Sequence, residues 1–261
     1  MTSAEIETAA RRLWTHWQEG TRTGSLPDAC RPAARAEAYK IGEAIAGLSR
    51  QKVIGWKIAA TSIAGQKHIN VDGPLAGRLL EDRVLAAGAT IRLGHNIMRV
   101  AEAEFAFRFG QDLPPEFAPY GRSEVMTAVA ELCLSLEIPD SRYRDFTVVG
   151  AAQLIADTAC AGWLVTQPSA YAEWRSLDIV RHRVDAHVNG SLVASGRGEA
   201  VLGDPVIALT WLVNEVAKYA GGIRAGDLVT TGTCLKPVTI APGDEVRLDY
   251  GVLGTLSARI D

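Results

Sequence analysis

The sequence predicts an α+β fold in which helices come first and a mixed or antiparallel β structure follows. Two amphipathic patterns of helical period precede any strand pattern. From Val53 onward, short apolar runs alternate with turns rich in Gly and Pro, and Asn189-Gly190 marks a tight hairpin. This order differs from the strict strand-helix alternation of a doubly wound sheet.

The first helix is predicted from its N-terminal cap. Thr2 and Glu5 have the spacing of a capping box, and apolar residues of one helical stripe follow as far as Trp17. Gly20 to Pro27 interrupts the pattern, and Pro32 suits the first turn of a second helix. The apolar faces of both helices must pack against the rest of the protein or a second subunit.

The first strand is predicted over Val53 to Ser62, with Lys57 as its single charged residue. Lysine is rarely buried without a partner, so Lys57 either extends to the surface or points into a polar cleft. The following segment to Leu80 is rich in Gly and Pro, and we expect an irregular loop there.

The remaining elements follow from period and caps. We expect helices over Ser123–Leu132, Ala151–Val165 and from Pro205 to about Gly221, and strands over Leu132–Ile138, Leu228–Thr231, Glu245–Tyr250 and Thr255–Ile260. The Asp204-Pro205 pair caps and starts the last of these helices.

Composition excludes several classes of function. The chain has 261 residues, is 48% hydrophobic and carries a formal net charge of -3, without the basic block of a nucleic-acid-binding protein. No apolar run is long enough to span a bilayer, and the N-terminus lacks a signal-peptide pattern. The four cysteines are scattered, which favours a reducing compartment. We therefore expect a cytoplasmic protein.

A stretch from Met98 to Phe109 carries the most informative pattern. As a strand, it would place alternate residues from Ala101 to Phe109 on one apolar face and Glu102 with Glu104 on the other. Two adjacent carboxylates repel each other unless a basic side chain or a metal ion lies between them. The stretch alone is equally consistent with two solvated glutamates on a half-buried strand.

A third acid, Glu137, projects from the strand predicted over Leu132–Ile138. With Glu102 and Glu104 it makes an oxygen-only set, and oxygen ligands select hard cations such as Mg²⁺, Mn²⁺ or Ca²⁺. Glu-x-Glu is common, so spacing alone does not establish the site. Dinucleotide, phosphate-loop and GxSxG motifs are absent, and the histidines show no partner pattern.

Five motifs in order carry a family resemblance. They are Gly55–Ser62, Glu102–Phe107, Leu136–Arg142, Gly196–Pro205 and Gly226–Thr233. Together they resemble the 2-keto-4-pentenoate hydratase and 4-oxalocrotonate decarboxylase branch of the fumarylacetoacetate hydrolase superfamily. The resemblance implies an N-terminal helical extension over residues 1–52 and a catalytic domain with a β-roll core over residues 53–261.

The resemblance also implies a divalent metal, Mg²⁺ or Mn²⁺, bound by Glu102, Glu104 and Glu137, with Lys57 as the catalytic residue. The backbone around Leu75 and the side chain of Thr158 would hold the substrate carboxylate. Many relatives read Asp-Asn where this chain has Asp157-Thr158, and the loop around Leu75 also differs. These departures bear on the identity of the substrate more than on the class of reaction.

The implied reaction is hydration of a 2-hydroxyalka-2,4-dienoate through a metal-stabilised enolate, in catabolism of an aromatic or related compound. A nearby cation and burial should lower the pKa of Lys57 and let it transfer a proton. Arg78, Arg108 and Arg142 could meet a second carboxylate, although a surface position is favoured for each.

Alternatives are a 4-oxalocrotonate-type decarboxylase, an acylpyruvate hydrolase, or a non-catalytic partner subunit. The hydrolase would need a His-Glu pair on a lid, and His68 is the nearest histidine. Relatives are commonly homo-oligomers, and related hydratases and decarboxylases can associate with each other.

Overall fold

The computed structural model describes residues 1–261 and confirms the predicted α+β fold. The helices are α1 (Ser3–Glu19), α2 (Arg35–Ser49), α3 (Ile63–His68), α4 (Arg122–Ala128), α5 (Ala151–Ala156) and α6 (Pro205–Tyr219). The strands are β1 (Val53–Ala59), β2 (Leu75–Leu80), β3 (Val84–Ala86), β4 (Thr90–Ile91), β5 (Val100–Phe109), β6 (Val129–Ile138), β7 (Trp163–Pro168), β8 (Arg183–Val188), β9 (Ser191–Arg197), β10 (Leu228–Thr233), β11 (Val238–Thr239), β12 (Glu245–Asp249) and β13 (Thr255–Ile260).

The strands form two mixed sheets. The larger has the order β2-β1-β10-β5-β6-β7-β3, with β11 added beside β5. The smaller has the order β4-β13-β12-β8-β9. Most neighbours are antiparallel, whereas β1 with β10, β3 with β7 and β4 with β13 are parallel. The larger sheet is curled, as the β-roll expectation requires.

Strand β5 lies at the centre of the larger sheet and alternates as predicted. Ala103, Phe105, Phe107 and Phe109 are buried in the main hydrophobic core. On the opposite face, Ala106 belongs to a second, small apolar cluster with residues of neighbouring strands. Both faces of β5 are therefore covered, and the two glutamates on the second face have little access to bulk solvent.

Helix α1 begins as the sequence indicates, whereas α2 begins at Arg35, three residues after the predicted start at Pro32. The Thr2 hydroxyl accepts from the amide of Glu5, whose carboxylate accepts from the amide of Thr2. Helix α1 then ends at Gly20 in the left-handed region. Buried residues of α1 and α2 belong to the same core as those of the sheets. The boundary between residues 52 and 53 remains a prediction, since the two parts share this core.

In two segments the structure contains strands that the sequence did not predict. The Gly- and Pro-rich stretch before Leu80 is not a loop throughout, because it contains α3 and the whole of β2. Strand β2 forms because it pairs with β1 along its length, and this long-range pairing leaves no local signal. Likewise, the single apolar helix predicted over Ala151–Val165 stops at Ala156 and gives way to β7.

The C-terminal third follows its turn and cap signals. Asn189 and Gly190 both have positive φ and join β8 to β9 as the predicted hairpin. The Asp204 carboxylate accepts from the amide of Val206 and caps α6, with Pro205 in its first turn.

The helix predicted to end at Leu132 stops at Ala128, where β6 begins. None of the helices combines the length and apolarity that a membrane span requires.

Candidate metal centre and its cavity

Three carboxylates meet on β5 and β6, on the face opposite the main hydrophobic core. Glu102 and Glu137 lie directly opposite each other in the antiparallel register, and Glu104 lies two residues further along β5. One carboxylate oxygen from each of the three lies within 4.8 Å of the other two. Alternation along β5 and pairing with β6 are enough to bring them together.

The hydrogen bonding of these carboxylates is incomplete. Glu104 and Glu137 are fully buried, while Glu102 is partly exposed to the adjacent cavity. Glu104 Oε2 accepts from the amide of Gly232 at 2.8 Å. Its Oε1 and both oxygens of Glu137 accept no hydrogen bond, and the one nearby compensation is the Lys57 ammonium group, 3.0 Å from Glu137 Oε1. Buried carboxylate oxygens are costly without partners, so this oxygen-only set fits a hard divalent cation.

The electrostatics of the cluster point the same way. Loss of hydration and repulsion from Glu137 raise the pKa of Glu102 to about 7. Burial and the same repulsion raise the pKa of Glu104 well above its ordinary value. Three carboxylates packed this closely do not ionise together without added positive charge. A cation held between them would supply that charge.

Lys57 provides one positive charge at the cluster. It is almost fully buried on β1, with Nζ 3.0 Å from Glu137 Oε1, and it donates to the carbonyl of Ala159 at 3.0 Å. Burial acts to lower the pKa of Lys57, but attraction to Glu137, Glu102 and Glu104 outweighs it and raises the pKa. The direction is opposite to the predicted lowering, because that prediction assumed repulsion from a bound cation.

A left-handed turn positions the carbonyl that contacts Lys57. Thr158, Ala159 and Cys160 all have positive φ, which is rare for residues with a side chain. The turn lies directly on β2 at Gly77, where an added Cβ would come 1.8 Å from the carbonyl oxygen of Thr158. Only glycine fits at this close approach.

A buried ion pair holds the same turn from the other side. Arg142 is 1% exposed and pairs through Nε with Asp157 Oδ1. It also donates to the carbonyl of Ala161 at 2.8 Å and stacks on Trp17, with its Cζ 4.0 Å from the ring centroid. The arginine therefore fixes the turn that places Ala159 beside Lys57. The sequence carries no local signal of this role, since the partners of Arg142 lie elsewhere in the chain.

The two predicted substrate-binding residues lie beside the site rather than on its walls. The Leu75 side chain is fully buried at the start of β2, opposite Ala59. Thr158 is also buried, and its Oγ1 accepts a long hydrogen bond of 3.3 Å from Arg142. Neither residue lines the cavity next to Glu102. Their proposed contacts with a substrate carboxylate remain predictions.

A cavity of about 950 Å³ opens above the acidic cluster. Lys57 and Glu102 lie on its floor, and the left-handed turn contributes Ala159 and Cys160. Its upper walls come from α3, from the end of β9 and from the loop that follows β10. His68, expected in a loop, instead lies on α3 and lines this cavity, where its ring packs edge-on against Phe146.

None of the three arginines considered for a second carboxylate lines the cavity. Arg78 is buried, stacks on Trp56 and donates to the carbonyl of Tyr39. Arg108 pairs with Glu131 towards the other end of β5 and β6. Arg142 is committed to Asp157, as described above. The surface assignment was thus wrong for Arg78 and Arg142, both of which have structural partners.

Comparison with known proteins places this geometry in context. The family model described as fumarylacetoacetate hydrolase C-terminal matches residues 73–261. The 2-keto-4-pentenoate hydratase of Paraburkholderia xenovorans (strain LB400) is 29% identical, over 100% of this chain and 97% of its own length. A 4-oxalocrotonate decarboxylase from a Pseudomonas species is 30% identical, over 90% of this chain and 88% of its own.

A solved structure also resembles the whole chain. The 4-oxalocrotonate decarboxylase from Pseudomonas putida G7, complexed with magnesium and adipate, superposes with a TM-score of 0.90 at 25% identity. The match covers 100% of this chain and 99% of the decarboxylase. The family match and this full-length similarity agree with the fold and the acidic cluster described above. The chain belongs to the fumarylacetoacetate hydrolase family.

Proposed function

We propose that this chain is a metal-dependent hydratase that adds water to a 2-hydroxyalka-2,4-dienoate of the 2-keto-4-pentenoate type. The observation that carries the proposal is the buried set Glu102, Glu104 and Glu137 with Lys57 at the floor of a cavity. Full-length relatives named as 2-keto-4-pentenoate hydratases support the class of reaction. We expect the reaction to belong to catabolism of an aromatic or related compound.

The three glutamates would hold a divalent cation, Mg²⁺ or Mn²⁺. When bound, such a cation polarises the oxygens of a 2-keto acid and stabilises negative charge that develops on them. The amide of Gly232 fixes one carboxylate oxygen of Glu104, which keeps that carboxylate oriented towards its neighbours. Strand pairing fixes the other two glutamates, so little reorganisation is needed on binding.

Lys57 would hold or deliver the proton that moves between oxygen and carbon of the substrate. Its ammonium group is held by Glu137 and by the carbonyl of Ala159, so Nζ has a defined position on the cavity floor. Positioned proton transfer of this kind contributes about 10² to 10⁴ in rate. We further propose that the backbone near Leu75 and the hydroxyl of Thr158 assist in holding the substrate carboxylate.

The experiment that tests the proposal uses chelator-treated protein. Addition of Mg²⁺ or Mn²⁺ should restore turnover of 2-hydroxypenta-2,4-dienoate, measured as a decrease in its dienoate absorbance. The product should be a hydroxylated 2-keto acid. No turnover with either metal, together with no metal binding, would overturn the proposal. Metal binding without turnover would favour a non-catalytic partner subunit.

A decarboxylase is the second candidate. It is favoured by the full-length similarity to 4-oxalocrotonate decarboxylases in both sequence and structure. Release of CO₂ from 4-oxalocrotonate, measured beside hydration, separates the two activities. An acylpyruvate hydrolase is less well supported, because α3 carries His68 without an acidic residue.

The assembly and location of the protein belong to the same proposal. We expect the protein to form a homo-oligomer in the cytoplasm. This homo-oligomer could also associate with a related decarboxylase or hydratase. Light scattering of the purified protein and co-purification with the related enzyme would test the two kinds of association.

A further inference from the structure

The mouth of the cavity carries basic side chains that the proposed chemistry does not use. Arg183, Arg197 and Lys236 all line it and are all exposed. Glu199 is the acidic side chain of this rim. Cationic groups thus outnumber acidic ones at the mouth, whereas carboxylates dominate the floor.

The charge of Arg183 is already compensated. Its Nε donates to Asp185 Oδ1 at 2.8 Å, and its Nη2 donates to Ser195 Oγ at 3.1 Å. Arg197 and Lys236, in contrast, form no ion pair. Arg197 also lies directly opposite Arg183 in the β8–β9 register. Because Asp185 offsets the charge of Arg183, the charge of Arg197 remains available to an anion at the mouth.

Short backbone connections tie both free cations to the acidic cluster. Gly196, next to Arg197, lies against the carbonyl of Cys234, where an added Cβ would come within 2.0 Å. The amide of Cys234 donates at 2.8 Å to the carbonyl of Ala103, which lies between the two glutamates of β5. The close contact at Gly196 thus fixes the end of β9 above the cluster.

Lys236 has its own connection to the floor. Lys236 is four residues along the chain from Gly232, whose amide donates a hydrogen bond to the Glu104 carboxylate. Four residues span at most about 14 Å of chain. Arg197 and Lys236 line the same cavity as Lys57 and Glu102, so a substrate anchored at the floor shares this space with both side chains.

We infer that Arg197 and Lys236 form a subsite for a second carboxylate at the distal end of the substrate. The preferred 2-hydroxydienoate would then be a dicarboxylate rather than one that ends in an alkene or alkyl group. An uncharged terminus gains nothing from two free cations, whereas a carboxylate gains charge-assisted hydrogen bonds. This inference rests on the proposed function and narrows its substrate class.

The test compares two ligands that share length and head group. Mg²⁺-loaded protein is titrated calorimetrically at low ionic strength with 2-oxoadipate and with 2-oxohexanoate, which lacks the distal carboxylate. We expect 2-oxoadipate to bind about fivefold more tightly, the range for a solvent-exposed ion pair. Added salt should reduce this preference.

The variants assign the preference to residues. Arg197→Gln with Lys236→Gln should bring the two affinities close to each other and leave 2-oxohexanoate binding unchanged. Lys67→Gln is the matched control, since Lys67 is exposed on α3 but does not line the cavity. Arg197→Lys, which retains the charge, should keep part of the preference.

The outcomes separate this inference from the proposed function. Equal binding of the two ligands by the parent protein, or a preference that persists in the double variant, would overturn the distal subsite alone. Failure of both ligands to bind would overturn the 2-keto acid site itself, and with it the proposed function.

Discussion

The floor and the mouth of the cavity are built in opposite ways. The floor places Glu102, Glu104 and Glu137 on two adjacent strands, where register fixes their separation and burial removes water from Glu104 and Glu137. The mouth combines a short helix, a strand end and a loop from three distant parts of the chain, and its side chains are mostly exposed. A rigid floor suits chemistry that is common to a family, and an exposed mouth suits recognition that varies between its members.

Removing a floor carboxylate should have the largest effect. In Glu102→Gln or Glu137→Gln, one ligand charge is lost, and we expect metal affinity and turnover to fall by about a hundredfold or more. Calorimetric Mg²⁺ titration and a dienoate assay measure the two losses. Glu131→Gln is the matched control, because Glu131 shares β6 but pairs with Arg108 away from the site. Full metal-independent activity in Glu137→Gln would reject the metal centre.

Replacement of Lys57 should lower turnover without weakening metal binding, unlike replacement of a glutamate. Lys57→Ala should reduce turnover by about 10² to 10⁴, the usual contribution of a positioned proton donor or acceptor. Metal binding should survive, since Lys57 is not a metal ligand in this scheme. Mg²⁺ titration beside single-turnover kinetics checks both. Concurrent loss of metal would show that the lysine maintains the carboxylates instead.

The buried Arg142–Asp157 ion pair beneath the floor should contribute several kcal/mol to the free energy of unfolding. Arg142→Met leaves the Asp157 carboxylate buried without its partner, and breaking such a pair costs about 3–5 kcal/mol in the free energy of unfolding. Urea unfolding measures this cost. Arg108→Met removes a half-exposed ion pair and should cost less than about 1 kcal/mol. Equal losses in the two variants would contradict the structural role of Arg142.

Protein freed of metal by a chelator should show an unusual pH dependence of its stability. The pKa of Glu102 rises from 4.5 to about 7 on folding, so the folded state binds the proton more tightly than the unfolded state. Stability from this group is therefore present below pH 4.5 and is lost as the pH rises towards 7. The thermal unfolding temperature of the metal-free protein should therefore fall as the pH rises. The fall should be smaller when Mg²⁺ is bound and in the Glu102→Gln variant. A slope of opposite sign in chelated protein would refute the assignment.

The smallest effect is expected at the mouth. Ser62 caps α3 by accepting from the amide of Gly65, and Ser62→Ala should cost this helix about 1 kcal/mol. Because no residue of α3 is buried, the loss should stay local. Hydrogen exchange should quicken at the amides of Gln66 and Ile69, with global unfolding unchanged. A matching fall in global stability would mean that the mouth folds as one unit with the floor.

The same contrast explains what the sequence could reveal. Alternation along β5 identified Glu102 and Glu104, and a neighbouring strand pattern identified Glu137, since both signals are local. The left-handed turn at Thr158–Cys160 left no such signal, because Gly77 and Arg142 hold it from elsewhere in the chain. Strand β2 was missed for the same reason. Arg197 and Lys236 reach the cavity through tertiary packing, which periodicity does not encode.

The stacking of Trp17 on Arg142 links helix α1 to the candidate site, although the two lie far apart along the chain. Through Asp157 and the carbonyl of Ala159, that contact leads to the ammonium group of Lys57. Truncation of the first helix would expose the guanidinium and loosen the lysine together. We therefore expect the N-terminal helices to stabilise the position of Lys57 as well as the hydrophobic core.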